Sequence, residues 1–569
     1  MRPVAASLAA LTFVAACTSS GAPGGPPREW FVDGTAAAGL DFVHMNGMSG
    51  AYSMVEIMAP GVALFDYDND GDLDVYLVQG QPLDPSAQGQ RPREPGLSDR
   101  LFRNDLDERP DGTRTLRFTD VTRESRIEAH GYGMGVAAGD FDNDGWADLY
   151  LTKFDAANQL LRNNGNGTFT DVAKASGTDH RSWSVSASFV DIDRDGWLDL
   201  YVTNYLRYSL ASNPPCYNAS GVVGYCTPDS FDGLADRLYR NQGDGTFADV
   251  SVSSGVAREQ RPGLGVTAAD FNRDGWVDIY VANDGQENLL WLNRGNGTFE
   301  DGALLAGVAL PVTAKAEASM GVDAGDVDSD GDEDLLVTEL GGEGSNLFVN
   351  DGSGVFDDRS APSGVGPASL PLTGFGVGWV DVDGDGLLDV LSVNGAVQVI
   401  ESLRQAGDPY PLRQRKQLLR SLGGGRFEEV TSRAGTVFAK AEVGRGAAFG
   451  DVDNDGDVDV LVGNNNGPAR LLLNQNATRH WIGLRLLGHG GRDMLGARVE
   501  IARQSSRSLW RRARADGSYA SANDPRVVAG LGDAGDSPVV RVTWPGGAIE
   551  TWSGLPIDRY STLAEGRGR

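Results

Sequence analysis

The chain has 569 residues, which is too long for one ordinary hydrophobic core, so we expect either several domains or a repeat architecture. Its 77 glycines and 40% hydrophobic content favour a turn-rich β protein over a helical bundle. The formal net charge of −30 argues against nucleic acid as a partner.

The N-terminal residues 1–17 predict export. A short apolar run from Val4 to Ala16 is too short to cross a bilayer and is typical of a signal peptide. It ends in "VAAC", which resembles the bacterial lipobox, with Val14 where Leu is usual and Cys17 as the lipid-modified residue. Residues 18–28 form a flexible linker. We expect contact with the membrane of the cell envelope through this lipid anchor only. The alternative is a cleaved signal and a secreted chain.

An acidic nine-residue pattern, D-x-D-x-D-G-x-x-D, recurs seven times, with one Asn substitution in the fourth copy. An apolar stretch precedes each copy and a β-branched or aromatic run follows it, which predicts strand, tight loop and strand. A second tag, an aromatic residue followed by acidic ones, precedes each new copy, usually after a glycine turn that indicates a hairpin. Each unit therefore has four strands.

The repeats predict a closed ring of sheets. One tag at Phe31 stands before the first acidic loop, whereas no tag follows the last loop at Asp451. If the N-terminal strand completes the seventh sheet, no sheet edge stays open. We therefore predict an all-β fold in which a seven-bladed β-propeller spans residues 29–478. An open solenoid would need capping repeats, and we identify none.

The acidic loops have the ligand chemistry of calcium. Carboxylates at positions 1, 3, 5 and 9 converge, Gly at position 6 permits a sharp turn, and the carbonyl at position 7 offers another oxygen. Without a cation these charges would repel one another strongly. We predict up to seven Ca²⁺ ions, one for each loop, and expect the neutral Asn272 to weaken the fourth site. The predicted ligands are Asp66, Asp68, Asp70 and Asp74; Asp140, Asp142, Asp144 and Asp148; Asp191, Asp193, Asp195 and Asp199; Asp270, Asn272, Asp274 and Asp278; Asp326, Asp328, Asp330 and Asp334; Asp381, Asp383, Asp385 and Asp389; and Asp451, Asp453, Asp455 and Asp459.

Three units carry insertions between their second and third strands, near residues 79–100, 205–236 and 395–414. Because the acidic loops join strands one and two, antiparallel order places the insertions on the opposite face of the ring. We call this side the inserted-loop face. Long loops on a rigid scaffold commonly bind ligands, so we expect a protein or glycan partner there. Insertions without a function are the alternative.

Only two cysteines follow the lipobox, Cys216 and Cys226, and both lie within the second insertion. In an oxidising compartment their spacing favours a local disulfide, and free buried thiols are the alternative. The histidines lie in no nucleophile elbow, zinc helix or triad-like pattern, so we predict no catalytic residue. His44 and Glu56 precede the first acidic loop. We interpret them as a hydrogen-bonded loop anchor, with general-base chemistry as the alternative.

The C-terminal residues 479–569 contain short alternating strands with Gly/Pro turns, which predicts a small β-sandwich or barrel. This segment has 14 arginines and nine acidic residues, a net charge of +5. Arg511, Arg512 and Arg514 are candidates for binding an anionic partner, for docking against the propeller, or for a solvated basic face. Of these three we expect the solvated face.

Two parts of the chain resemble known families. The stretch "GDFDNDGWADLYL" is similar to the FG-GAP, or VCBS, repeat of integrin α-chain propellers. After the propeller, "GARVEIA", "GSYASAND" and "VTWPGGAIETW" look like the ASPIC/UnbV domain. The combination resembles the cartilage acidic protein-like family, in its bacterial lipoprotein form, over about residues 29–566. The resemblance implies calcium-binding repeats and an extracellular setting, and the family has no established general reaction.

These patterns predict a non-catalytic, calcium-stabilised surface protein that binds a protein or a glycan through the inserted-loop face. The alternative is a secreted enzyme or biosynthetic accessory protein whose site is built from the insertions, with His44 and Glu56 among its residues. The lack of a convergent acid, base or nucleophile favours the first hypothesis. The sequence leaves the ligand and the oligomeric state open.

Overall fold

The structure is a computed structural model, and it describes residues 29–83, 97–109, 111–217, 221–476, 479–504 and 506–569. The predicted signal peptide, Cys17 and the linker lie outside the described residues, as does part of the first insertion. Within the described part, no helix is long and apolar enough to cross a membrane.

Strands of the repeat region follow one another at short intervals. In chain order they are β1 (Phe31–Asp33), β2 (Val62–Phe65), β3 (Asp74–Leu77), β4 (Arg100–Asn104), β5 (Asp107–Glu108), β6 (Arg114–Thr115), β7 (Phe118–Asp120), β8 (Tyr132–Gly139), β9 (Asp148–Ala157), β10 (Gln159–Asn163), β11 (Phe169–Asp171), β12 (Arg181–Val190), β13 (Asp199–Asn204), β14 (Cys216–Tyr217), β15 (Val223–Gly224), β16 (Arg237–Asn241), β17 (Phe247–Asp249), β18 (Gly263–Ala269), β19 (Asp278–Asn283), β20 (Leu289–Asn293), β21 (Phe299–Asp301), β22 (Val322–Gly325), β23 (Asp334–Val337), β24 (Asn346–Asn350), β25 (Phe356–Asp358), β26 (Gly374–Val380), β27 (Asp389–Asn394), β28 (Gln417–Ser421), β29 (Phe427–Glu429), β30 (Gly444–Gly450), β31 (Asp459–Asn464) and β32 (Arg470–Asn474).

These strands form antiparallel units of four, seven of them within the described residues. The units are β2-β3-β4-β7, β8-β9-β10-β11, β12-β13-β16-β17, β18-β19-β20-β21, β22-β23-β24-β25, β26-β27-β28-β29 and β30-β31-β32-β1. The second and third units share one sheet, because β9 also pairs with β12. The first strand of each unit lies next to the first strand of the following unit, and β30 returns to β2. The ring is therefore closed.

The N-terminal strand completes the last unit. β1 pairs antiparallel with β32, and Phe31 lies opposite Asn474. Phe31 is fully buried and packs against Phe438, so the closing strand is held by core contacts as well as by the ladder. The predicted all-β propeller, closed by the N-terminal strand, is confirmed.

Helices in the described residues are short and lie in the connections. They are α1 (Ala173–Ser176), α2 (Ser251–Ser254), α3 (Ala303–Ala306), α4 (Ser360–Ser363), α5 (Val365–Ser369), α6 (Glu401–Gln405), α7 (Thr431–Ala434) and α8 (Thr436–Ala439), with 3₁₀ turns at Met54–Ile57, Leu210–Ser212, Pro228–Ser230, Val256–Arg258 and His489–Gly491.

The C-terminal unit has two small sheets. Its strands are β33 (His480–Leu487), β34 (Arg498–Ala502), β35 (Leu509–Arg512), β36 (Val527–Gly532), β37 (Val539–Thr543), β38 (Ile549–Trp552) and β39 (Tyr560–Ala564). One sheet has the order β36-β33-β39 and the other β35-β34-β37-β38. They enclose a separate core that includes Ile482, Val499 and Trp544. This two-sheet arrangement agrees with the predicted sandwich.

A loop of the C-terminal unit fills the axis of the ring. Residues 516–524, which we call the plug, make hydrogen bonds to the inner strand of every one of the seven units; the strand residues are Val62, Leu64, Val136, Ser186, Val266, Ala268, Val322, Val377 and Phe449. A Cβ at Gly61 would lie 1.8 Å from the carbonyl oxygen of Ala520, so only glycine permits this close approach.

The arginines of the C-terminal unit also contact the propeller. Arg514 forms an ion pair with Asp323 at 2.6 Å, Arg512 lies 3.6 Å from Glu333, and Arg511 donates to the carbonyl of Gly386 at 2.9 Å. The expectation of a solvated basic face is therefore wrong for these three residues. Their positive charge faces acidic residues of the propeller in the same chain. The sequence alone did not show that these two surfaces lie opposite each other.

Candidate metal sites and the inserted-loop face

The second acidic loop shows how the local sequence makes a cradle of oxygens. The carboxylate of Asp140, at position 1, accepts backbone N–H bonds from Asp144 at 3.1 Å and Gly145 at 2.8 Å. Asn143 and Gly145 have φ values of 56° and 88°, so the chain reverses through two left-handed residues. Asn and Gly adopt this conformation at low cost. The bond from the position-6 glycine to the position-1 carboxylate recurs in all seven loops.

The aspartate at position 9 ties each loop to its sheet. In the second loop, Asp148 accepts N–H bonds from Phe141 at 3.0 Å and from Asn163, at the end of the third strand, at 2.7 Å. Asp148 is fully buried. The same pair of bonds occurs in every loop. Position 9 therefore fixes the loop on the sheet.

In at least five of the loops, three of the four predicted ligands come together in the folded chain. Groups of three, with one oxygen from each residue and all within 4.8 Å of one another, include Asp66, Asp68 and Asp70; Asp140, Asp142 and Asp148; Asp191, Asp193 and Asp199; Asp326, Asp328 and Asp334; and Asp381, Asp383 and Asp385. Position 9 belongs to the group in the second, third and fifth loops. These separations suit a single ion that is bound by several carboxylates.

Buried oxygens without a hydrogen-bond partner mark the same point in the loops. In five loops the Oδ1 atom of the position-3 aspartate is buried and has no hydrogen-bond partner among the described residues; these aspartates are Asp68, Asp142, Asp193, Asp328 and Asp453. A buried carboxylate oxygen is costly unless a donor or a cation satisfies it. The donor set is all oxygen, so these residues fit Ca²⁺, a hard cation that prefers oxygen ligands.

The electrostatics of the loops point the same way. Burial raises the pKa of six position-1 carboxyls to about 6, at Asp66, Asp140, Asp191, Asp326, Asp381 and Asp451. Burial also raises the pKa of Asp199 and Asp278, at position 9, to about 8. Burial therefore disfavours the charged form of these carboxyls in the metal-free loops, and a bound divalent cation would favour it.

Some loops differ from this pattern. In the fourth loop the amide of Asn272 donates to Asp274 at 3.1 Å, where the other loops have a carboxylate. In the third loop Arg240 lies 2.6 Å from Asp193. In the sixth, Arg420 lies 2.8 Å from Asp383. These arginines provide part of the neutralising charge, so the seven sites are not equivalent.

Asparagines at the end of the third strand join neighbouring units, and our reading of the sequence missed them. Asn163 donates from Nδ2 to the carbonyl of Tyr67, in the preceding loop, at 2.8 Å. Equivalent bonds are made by Asn104, Asn241, Asn293, Asn350 and Asn474. Ser421 occupies this position in the sixth unit. The recurring Asn just before each glycine turn was the available signal.

The C-terminal unit contacts the tips of the acidic loops. Four arginines each donate to the carbonyl of a position-6 glycine; the pairs are Arg492 with Gly196, Arg498 with Gly331, Arg511 with Gly386 and Arg526 with Gly71. Arg485 also lies 3.1 Å from Asp66. The conformation of the loops and the docking of the C-terminal unit therefore depend on each other.

The insertions pack together on the other side of the ring. Tyr205 and Tyr225 of the second insertion and Tyr410 of the third share one buried cluster with the apolar residues of the segment 54–59. Cys216 and Cys226 are bonded to each other within the second insertion. This packing gives the inserted-loop face a defined shape.

His44 and Glu56 have separate partners on this side. His44 is buried, its Nδ1 accepts the N–H of Asn466 at 3.2 Å, and burial lowers its pKa to about 3. Glu56 is fully buried and accepts a hydrogen bond from the hydroxyl of Tyr225 at 3.2 Å. Burial raises the pKa of Glu56. These contacts agree with an anchoring role, and a neutral His44 is a weak proton acceptor.

Comparison with known proteins identifies both parts of the chain. An FG-GAP-like repeat model matches residues 66–151, 140–202, 225–281, 270–337 and 326–392, and an ASPIC and UnbV model matches residues 488–569. Cartilage acidic protein 1 of Mus musculus is 26% identical over 531 residues, which cover 88% of this chain and 73% of the mouse protein. The Homo sapiens protein is 26% identical over 517 residues, covering 86% of this chain and 69% of the human one.

Among solved structures, an Agrocybe aegerita lectin that recognises non-reducing terminal N-acetylglucosamine matches with 16% identity and a TM-score of 0.37, over 65% of this chain and 79% of that chain. The two family matches confirm the resemblance to FG-GAP repeats and to the ASPIC/UnbV domain that the sequence indicated. The chain therefore belongs to the FG-GAP-like repeat family and carries a C-terminal ASPIC/UnbV domain.

Proposed function

We propose that this chain is an exported, calcium-binding repeat protein that binds a protein or glycan ligand through its inserted-loop face. The buried, unpaired position-3 oxygens carry the calcium part of the proposal, because five loops repeat this unsatisfied atom at one position. The predicted signal and Cys17 support export with a lipid anchor at the bacterial cell envelope.

The same architecture supports a binding role. The acidic loops and the C-terminal unit occupy one side of the ring, and the insertions lie on the other. Calcium would hold the loops that support the C-terminal unit and its plug, which reaches the inner strand of each propeller unit. The inserted-loop face is thereby kept in one conformation, which lowers the entropy cost of binding a ligand.

Binding to arrays tests this proposal. Purified chain is applied to arrays of glycans and of envelope-protein peptides, once with 1 mM Ca²⁺ and once after calcium has been removed by chelation. We expect calcium-dependent binding that is lost when residues 210–223 are replaced by a short Gly-Ser linker. A Leu305→Ser variant, changed at an α3 side chain that is 90% exposed, is the matched control and should bind normally.

Equal binding by the loop-replaced chain and the wild type would contradict the assignment of the face. Absence of ligands of either class in the presence of calcium would contradict the binding function itself.

A further inference from the structure

The inserted-loop face contains a cavity of about 460 Å³ that the function proposed above does not yet explain. Its wall is built from Met54, Ile57 and Met58, from the second and third insertions, and from connections in the fourth and fifth units. Tyr217 contributes to the lining and is 63% exposed, so it lies where the cavity meets solvent. Separate loops of the chain thus converge on one concave site.

Aromatic and methionine side chains form much of the wall. Tyr205 and Tyr225 are buried side chains that line the cavity. Phe375 also lines it, but the guanidinium of the buried Arg445 already stacks on its ring, 3.8 Å from the centroid, so Phe375 contributes apolar area only. Tyr225 is held in place by an edge contact with Tyr52, at 5.2 Å between ring centroids, and by its hydrogen bond to Glu56. Aromatic rings in fixed positions offer negative faces to a cation and apolar area to its carbon stem.

The charged groups of the lining are mainly acidic. Asp229, Asp284 and Glu343 line the cavity together with one lysine, the exposed Lys315. Asp284 accepts a hydrogen bond from the hydroxyl of Tyr205 at 2.5 Å, which fixes the carboxyl against the aromatic wall. Glu343 accepts the backbone N–H of Ala318 at 2.9 Å. The cavity therefore has an excess of negative charge in a site with apolar walls.

A buried glutamate, Glu339, also lies near this wall, and burial raises its pKa well above the usual range, so we do not count its carboxyl as a charge of the cavity. Glu339 is 1% exposed, and its Oε2 has no hydrogen-bond partner among the described residues. Its other oxygen accepts a bond from Ser319 at 2.9 Å, adjacent to Ala318 and Met320 of the lining. The negative potential of the cavity therefore comes from the lining carboxylates Asp229, Asp284 and Glu343, and the low-dielectric walls concentrate it.

We propose that this cavity binds an organic cation, namely a protonated amine on an apolar stem such as a lysine side chain of a partner protein. The proposal rests on the function proposed above and identifies the chemistry recognised at that face. The ammonium group would lie between the aromatic faces and the carboxylates, and its methylene stem would contact the methionines. A neutral sugar would leave the acidic groups unmatched, and an anion would be repelled.

A titration with two peptides tests this inference. The probes are a pentapeptide with a central lysine and the same peptide with norleucine, which keeps the stem and removes the charge. We expect the calcium-loaded full chain to bind the lysine peptide at least about tenfold more tightly, the size of a desolvated cation–π contact. Tyr217→Ala and Asp229→Asn should each weaken that binding severalfold. Both side chains are exposed, so the variants should fold.

Asp232→Asn is the matched control, because Asp232 lies in the same insertion with its side chain 85% exposed and is not part of the lining. It should bind like the wild type. Equal binding of the lysine and norleucine peptides, or none of either, would overturn the inference. If the peptide titration fails but the arrays show neutral ligands whose binding is lost on loop replacement, the proposed binding function stands and only the cation inference is wrong. If the arrays show no ligand at all, the proposed function and the cation inference are both wrong.

Discussion

Removing the aromatic side chain of Tyr519 should weaken the whole molecule, because this residue lies in the plug at the centre of the ring. Its side chain is fully buried, its ring meets Phe375 edge-on at 4.9 Å, and its hydroxyl donates to the carbonyl of Met58 at 2.9 Å. Truncating a buried aromatic side chain to alanine typically costs about 3–5 kcal/mol. The lost hydroxyl bond contributes about 1 kcal/mol of this. We therefore expect Tyr519→Ala to lower the free energy of unfolding by about 4 kcal/mol, and Tyr519→Phe by about 1 kcal/mol.

The assay is urea unfolding of the calcium-loaded chain, followed by tryptophan fluorescence and by circular dichroism. Tyr217→Ala removes the same atoms from a side chain that is 63% exposed and serves as the matched control. The two signals should change together, since the plug joins the C-terminal unit to all seven inner strands. A Tyr519→Ala chain that unfolds at the same urea concentration as Tyr217→Ala would refute this account of the plug.

Three further predictions concern the acidic loops and the contacts between units. Asn272→Asp should raise the calcium affinity of the fourth loop about tenfold by restoring a charged ligand, and unchanged calorimetric titrations would contradict this. Ser421→Asn should stabilise the chain by about 1 kcal/mol by adding the missing bond to the carbonyl of Val327, and an unchanged urea midpoint would count against it. The rise in melting temperature that calcium causes should be larger at pH 7.5 than at pH 5. Burial raises the pKa of Asp140 to about 6, so the metal-free fold loses stability as pH rises from about 4 to about 6, whereas calcium needs the carboxylate form. Equal rises at the two pH values, measured on protein freed of metal by dialysis, would show that these carboxyls do not bind the ion.

The propeller was predictable because each unit repeats the same sequence features in the same order. The acidic loop, the following strand and the aromatic tag recur in register, and the unmatched tag at Phe31 indicated that the ring closes through β1. The second and third units nevertheless share one sheet, because β9 and β12 extend past the usual length and pair. This extension has no repeated signal in the sequence.

Contacts between the two parts of the chain were not predictable in the same way. In the sequence, the loop that carries Tyr519 is apparent only as part of the "GSYASAND" motif, whereas in the structure it fills the axis of the ring. In the sequence, Arg511 and Arg526 were only part of the net positive charge of the C-terminal segment. In the structure, both donate to backbone carbonyls of glycines far away in the chain. A carbonyl has no sequence signature, so only the folded structure shows which arginine meets which loop.

The central claim is that calcium neutralises the acidic loops, and direct metal analysis tests it best. The full chain, purified in calcium and dialysed against metal-free buffer, is measured by elemental analysis, and its crystals by anomalous diffraction. We predict several tightly held calcium ions for each chain, up to seven, with density between the carboxylates of positions 1, 3, 5 and 9. Folded protein that retains no divalent cation, with these carboxylates hydrogen-bonded to water alone, would contradict the account.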